Sequence, residues 1–139
     1  MNNAGTIRRH PAVEFPVEDW DLVLETNLDA VFLLCRHFGA GKIEQRSGKI
    51  IDIASLLSFT GGITVPAYAA GKHAVAGLTK GLANERAEHN VQVNAIAPGF
   101  FAPRIHRRFR IIRNAQNPSP TAFQPEDGEN LQTSVEPLP

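Results

Sequence analysis

A chain of 139 residues has the length of one domain, and its 14 Lys and Arg balance its 14 Asp and Glu. Zero formal net charge speaks against a nucleic-acid or membrane-surface partner; with no charged-then-apolar leader and no apolar run of about 18 residues, the chain is expected to be soluble and cytoplasmic. The single Cys35 excludes an intramolecular disulfide, and His10, His37, His73, His89 and His106 lack metal-ligand spacing, so no metal site is expected.

The chain opens on Asn2-Asn3-Ala4-Gly5. Pro16, Glu18 and Asp19 predict a helix start, because proline fits a first turn and acidic side chains complement the positive end of the helix dipole. Trp20, Val23, Leu24, Leu28, Val31, Leu34, Cys35 and Phe38 then recur at steps of three and four, which predicts an amphipathic helix of about five turns. Asn27 falls on its apolar stripe. A buried amide needs partners, at a cost of about 1–3 kcal/mol if it finds none. As a structural residue Asn27 would satisfy itself locally, bridging a helix irregularity. As a functional one, its carbonyl would connect to Lys72 directly or through water. Cys35 reads as core rather than nucleophile, since nothing nearby would make it a thiolate. Gly39-Ala40-Gly41 predicts the C-cap of this helix.

Lys49–Ala54 is apolar and β-branched, which predicts a parallel strand buried on both faces. Ser55 follows at its C-terminal end, where open α/β sheets place ligands. Asp52 is assigned no chemistry. Gly61-Gly62 is expected to shape a substrate loop. Pro66 begins a helix that runs to about His89, rich in Ala and Gly that allow close approach of a neighbour. Val91–Ala97 predicts a second buried strand, turned at its end by Pro98-Gly99. The fold class is α/β.

Beyond Phe100 the composition changes. Arg104–Arg113 is basic with interleaved apolar residues and is read as a short solvated helix. Nucleic-acid binding is not expected of it, because Glu126, Asp127 and Glu129 follow. Six of the ten prolines lie beyond residue 100, and no helical or strand period is visible from Asn117 on, so 101–139 is expected to be a largely disordered tail.

Tyr68 and Lys72 lie one helical turn apart and so share a face. A phenol with an ordinary pKa of about 10 is a poor base at neutral pH, and a nearby ammonium group favours its phenolate. The pair is suited to exchange a proton with a carbonyl or an alcohol. Ser55 lies thirteen residues before Tyr68, Asn27 lies twenty-eight residues before Ser55, and Pro98 lies thirty residues after Tyr68.

In type, order and spacing these residues, with Asn2-Asn3-Ala4-Gly5, resemble the short-chain dehydrogenase/reductase family over about residues 2–100. Thr6-Ile7-Arg8-Arg9 and Leu57–Ile63 are most similar to its sugar-acid branch. The resemblance implies a partial Rossmann-like, doubly wound parallel sheet over 1–100. It implies an oxidoreductase that moves a hydride between NAD or NADP, with NAD favoured, and a secondary alcohol or ketone of a sugar acid such as 2-deoxy-D-gluconate. Catalytic roles would fall to Asn27, Ser55, Tyr68 and Lys72. Tyr68 exchanges the proton, Lys72 assists it and holds the nicotinamide ribose, Ser55 fixes the substrate, and Asn27 carries a proton relay. Asn3, Ala4, Gly5, Tyr68, Lys72, Pro98 and Gly99 would line the cofactor, and Ser55 and Tyr68 the substrate. The helices carrying Asn27 and Tyr68 would pair with those of a second copy. A related epimerase or dehydratase uses the same Tyr and Lys pair, but Asn2-Asn3-Ala4-Gly5 favours the dehydrogenase.

The family's first strand and glycine-rich turn have no counterpart in these residues, and neither has its C-terminal signature. A second expectation therefore stands beside the first: a catalytically inactive fragment of such an enzyme, holding only part of a dinucleotide site.

Overall fold

A computed structural model of the chain describes residues 1–99 and, as backbone, 109–112. A 3-10 turn at Ala12–Glu14 leads into α1 (Val17–Leu24), a π-turn (Glu25–Asp29) and α2 (Ala30–Glu44). Strand β1 (Gly48–Ile53), α3 (Pro66–Arg86), β2 (Val91–Pro98) and β3 (Phe109–Ile112) follow. Among the described residues no helix is long and apolar enough to cross a membrane.

The predicted amphipathic helix is this continuous α1–π–α2 rod. Pro16 sits at its N-cap rather than inside the first turn, with Glu18 and Asp19 just after it. Its buried stripe is narrow: Val23, Asn27, Val31, Cys35 and Gly39, every fourth residue. The predicted stop at Gly39-Ala40-Gly41 does not occur; the helix continues to Glu44. Gly39 has another task. A Cβ built on it would lie 2.7 Å from Cζ of Arg86, so it is the bare spot on which a guanidinium from α3 rests.

The helix α3 begins with Pro66 at its first position and ends through a 3-10 turn (Ala87–His89) at Asn90, whose φ of 56° is the left-handed cap that halts a helix. Its small residues let it lie close over the sheet. Val75, Ala76, Leu82 and Ala83 meet Ile50, Val91, Val93, Ala95 and Ala97, with Val31 and Cys35 of α2 alongside.

Strands β1 and β2 pair in parallel, from Gly48 opposite Val91 to Ile53 opposite Ile96. Asn2 adds a parallel bridge on the far side of β1: its N–H donates to Ile51 O (2.8 Å), and Ile53 N–H donates to its carbonyl (3.1 Å). The two strands are not buried on both faces. Only alternate residues are enclosed, Ile50 and Asp52 in β1 and Val91, Val93, Ala95 and Ala97 in β2, because α2 and α3 cover one face and no described helix covers the other.

The solvated helix expected over Arg104–Arg113 is corrected at Phe109–Ile112, the part of it among the described residues. Phe109–Ile112 is a strand, antiparallel to β2, with Ile112 opposite Ala95 and Phe109 opposite Pro98. Aromatic and β-branched residues favour a pleated surface over a helix, and the open edge of β2 supplies the partner. The disorder expected further along the tail concerns residues outside those described.

Candidate active site

Three chain segments end side by side at the C-terminal edge of the sheet: Asn2 with its following Asn3-Ala4-Gly5, β1 with Ser55, and β2 with Pro98-Gly99. Asn3, Ala4 and Gly5 are exposed, while Ser55, Pro98 and Gly99 are half-buried. The crevice at this edge is where parallel α/β sheets bind ligands.

Tyr68 and Lys72 occupy the first turns of α3. Nζ of Lys72 lies 5.7 Å from the Tyr68 ring centroid, as expected for residues one turn apart. The ammonium is buried and donates to Ile53 O at 2.6 Å. Burial pushes its pKa below the ordinary 10.5, because a desolvated ammonium is costly; the negative charge of Asp52 works against that shift.

Ser55 caps the 3-10 turn Leu56–Ser58. Its Oγ accepts from Leu57 N–H (3.1 Å), and its own N–H donates to Ser58 Oγ (3.1 Å). The Ser58 hydroxyl in turn donates to Lys72 O at 2.6 Å. One buried hydroxyl thus couples the Ser55 turn to the helix that carries Tyr68 and Lys72.

Asn27 is fully buried within the π-turn. Its Nδ2 donates to Thr6 O (2.7 Å) and to Val23 O (2.8 Å). The bond to Val23 ties the irregular turn to the helix before it, as the structural reading expected. The bond to Thr6 holds the segment that follows Gly5. Its Oδ1 has no partner among the described residues. A Cβ on Gly5 would lie 2.9 Å from that oxygen and 3.9 Å from Nζ of Lys72, so glycine keeps open the space that both atoms border. Gly71, one residue before Lys72, faces Asn27 and Leu24: a Cβ added to it would meet Asn27 Cβ and Leu24 Cδ2 at an ordinary 3.5 Å.

Asn27, Lys72 and Gly5 therefore converge, and Ser55 is joined to Lys72 through Ser58. Asn3, Ala4, Pro98 and Gly99 lie on the same edge; among the described residues no side-chain hydrogen bond ties them to Tyr68, Lys72 or Ser55. Sequence reasoning missed Ser58 and the Thr6 carbonyl. Ser58 had a faint signal: a hydroxyl three residues after a strand-ending serine is the spacing of a reciprocal cap. The Thr6 carbonyl had none, since any residue supplies one.

Cys35 is an inert thiol. Burial pushes it up to about 11, the neighbouring Asp52 carboxylate adds to that, and its Sγ donates weakly to Asp52 at 3.6 Å.

Comparison with known proteins adds to this geometry. The chain is 57% identical over 102 residues to the 2-dehydro-3-deoxy-D-gluconate 5-dehydrogenase of Bacillus subtilis, covering 73% of this chain and 40% of that protein. It is 50% identical over 111 residues to the enzyme of the same name from Dickeya dadantii, covering 79% and 44%. The crystal structure of a gluconate 5-dehydrogenase from Burkholderia cenocepacia, in complex with NADP and tartrate, superposes with a TM-score of 0.71 at 40% identity, over 73% of this chain and 40% of that one. The chain thus spans about two fifths of the length of these relatives. The family model for short chain dehydrogenases matches residues 1–111, running past Phe100 into β3, and the chain belongs to that family.

Proposed function

We propose that this chain carries the proton-transfer half of an NAD(P)-dependent oxidoreductase for a sugar-acid secondary alcohol, with a core ending at β3 rather than at Phe100. The observation that carries this reading is the convergence of a buried ammonium, an unpartnered buried amide oxygen and a glycine-lined gap at the C-terminal edge of a parallel sheet. An uncommitted acceptor beside a gap that a single Cβ would fill suits a polar ligand or a water chain. The cradle for NAD(P) would be Asn3, Ala4, Gly5, Tyr68, Lys72, Pro98 and Gly99. When bound, the nicotinamide supplies the hydride acceptor or donor.

The protein's part is position and proton movement. The Ser55 hydroxyl fixes the substrate oxygen. The Tyr68 oxygen would take the hydroxyl proton of the substrate alcohol during oxidation and return it to the same oxygen during reduction. The Lys72 ammonium lies beside the Tyr68 ring and would hold the nicotinamide ribose, and Asn27 Oδ1 offers the next acceptor towards solvent. The names of the relatives support 2-dehydro-3-deoxy-D-gluconate, gluconate and related acids such as 2-deoxy-D-gluconate as substrates. NADP in the Burkholderia cenocepacia relative supports a site that accepts the phosphorylated cofactor, so the preference for NAD rests on comparing the two.

The test is a fluorescence titration of the purified chain with NADH and NADPH, followed by absorbance at 340 nm with 2-deoxy-D-gluconate and the oxidised cofactor, NAD+ or NADP+. Saturable micromolar binding, weakened at least tenfold by Lys72→Met, is expected. No saturation by a chain that folds by circular dichroism would sink the reading.

A second reading, a catalytically silent fragment, is favoured by the exposure of Phe32 (45%), Leu33 (55%) and Phe38 (59%) along α2. Apolar side chains in such a row call for a cover. Pairing of two copies through α2 and α3 is the cover we propose; sedimentation equilibrium should give a dimer, and a monomer at micromolar concentration would count against it.

A further inference from the structure

Asp52 takes no part in the proton transfer, yet it is bonded to three separate segments. Its carboxylate, 0% exposed, accepts from Asn2 Nδ2 at 2.8 Å, from the Thr79 hydroxyl at 3.1 Å and from the Cys35 thiol at 3.6 Å. These donors come from the N-terminal segment, α3 and the continuous α1–π–α2 rod. Each of those segments also delivers a residue to the site: Gly5, Lys72 and, from the π-turn of the rod, Asn27. The next residue of β1, Ile53, holds the Lys72 ammonium through its carbonyl. That ammonium is 4% exposed and makes no ion pair among the described residues.

We propose that Asp52 is a positioning residue of the site: it ties together the three segments that converge there and supplies the buried negative charge that balances the Lys72 ammonium. A carboxylate is suited to both tasks. It accepts from several donors at once, whereas an asparagine has one oxygen and must turn an NH2 towards the remaining donors. The other ionisable groups around it fit this picture. Cys35 of α2 stays a neutral thiol, Arg86 at the far end of α3 acts on Cys35, and the N-terminal segment contributes only the uncharged Asn2. Burial alone disfavours a charged Lys72, and Asp52 is the group that offsets it. A buried charge left without such a counterpart is costly.

The inference rests on the oxidoreductase reading only in naming Lys72 a site residue; its test needs no cofactor. Lysine side-chain signals are followed by NMR against pH in the unsubstituted chain and in Asp52→Asn. The midpoint of Lys72 is expected to move to lower pH, while those of Lys42, Lys49 and Lys80 stay in place. An unmoved Lys72 midpoint in folded Asp52→Asn overturns the proposal. Should that variant fail to fold, Lys72→Met serves instead. Linkage requires coupling to be reciprocal, so the Asp52 carboxyl must then take up its proton at a higher pH than before; an unchanged carboxyl signal overturns the proposal equally. A chain that shows the coupling but binds neither NADH nor NADPH would refute the functional reading and leave Asp52's role standing.

Discussion

The same two helices meet twice, and the two meetings differ. Near the site, a Cβ added to Gly71 of α3 would meet Asn27 Cβ at an ordinary 3.5 Å; at the far end, a Cβ added to Gly39 of α2 would lie 2.7 Å from Arg86 Cζ, so there is no room for a methyl group. Each meeting holds a buried polar atom without a partner among the described residues, Asn27 Oδ1 at one and Arg86 Nη1 at the other. At the first, the orphan oxygen borders a gap beside Gly5 and Lys72, and the rest of its side chain is bonded. At the second, a guanidinium 7% exposed is pressed on a glycine and makes no ion pair among the described residues. An unmet hydrogen bond can be held open for a ligand, or it can be residual cost in a packing contact, and its surroundings tell the two apart.

Substitutions at the two ends should respond with opposite sign. Replacing Asn27 by Leu strands the Thr6 and Val23 carbonyls and should destabilise by roughly 3 kcal/mol in urea denaturation. Replacing Arg86 by Met, similar in length and uncharged, should instead be neutral or stabilise by about 1–2 kcal/mol, because it removes a buried cation without an acid partner. Equal losses at both positions would erase the distinction.

The middle of α2 gives a pH test. Cys35 is raised in the fold from 9.0 to about 11, so its neutral form contributes stability that is fully present below pH 9. That contribution, on the order of 2 kcal/mol, is lost as pH rises from 9 through 11, while the unfolded thiol ionises first. Cys35→Ala should flatten the stability profile across that window.

The glycines sharpen the contrast with smaller effects. Gly39→Ala should cost about 1 kcal/mol net, a clash partly offset by better helix propensity. In an Arg86→Ala background the same change should gain up to about 1 kcal/mol, since only propensity remains. Gly71→Ala, with only ordinary contacts to meet, should gain several tenths of a kcal/mol in either background, with roughly 1 kcal/mol as the ceiling.

What was legible in the sequence follows from range. Tyr68 and Lys72 are placed by a single helical turn, and the run from Pro66 to His89 carries its own start signal and small-residue pattern, so both were read from local letters. Ser55 and Asn27 were readable because their spacing to Tyr68 resembles a family. Gly39 was misread because a glycine that ends a helix and one that makes room for a neighbour look alike until that neighbour, forty-seven residues on, is in place. Strand β3 was misread because its conformation depends on the free edge of β2. The one-sided burial of β1 and β2 was hidden as well: β-branched runs record a preference for strand, and only the packed helices decide which face is enclosed.

The π-turn around Asn27 carries a consequence for chain length. Such a turn holds one residue more than the α-turn it replaces. Deleting a single residue from 25–29 would let the rod close into an unbroken α-helix, with Val23 and Val31 on either side still facing the core. The shorter turn would no longer present one amide to both Thr6 O and Val23 O. A change of one in the count of this stretch should therefore spare the rod and disturb the site.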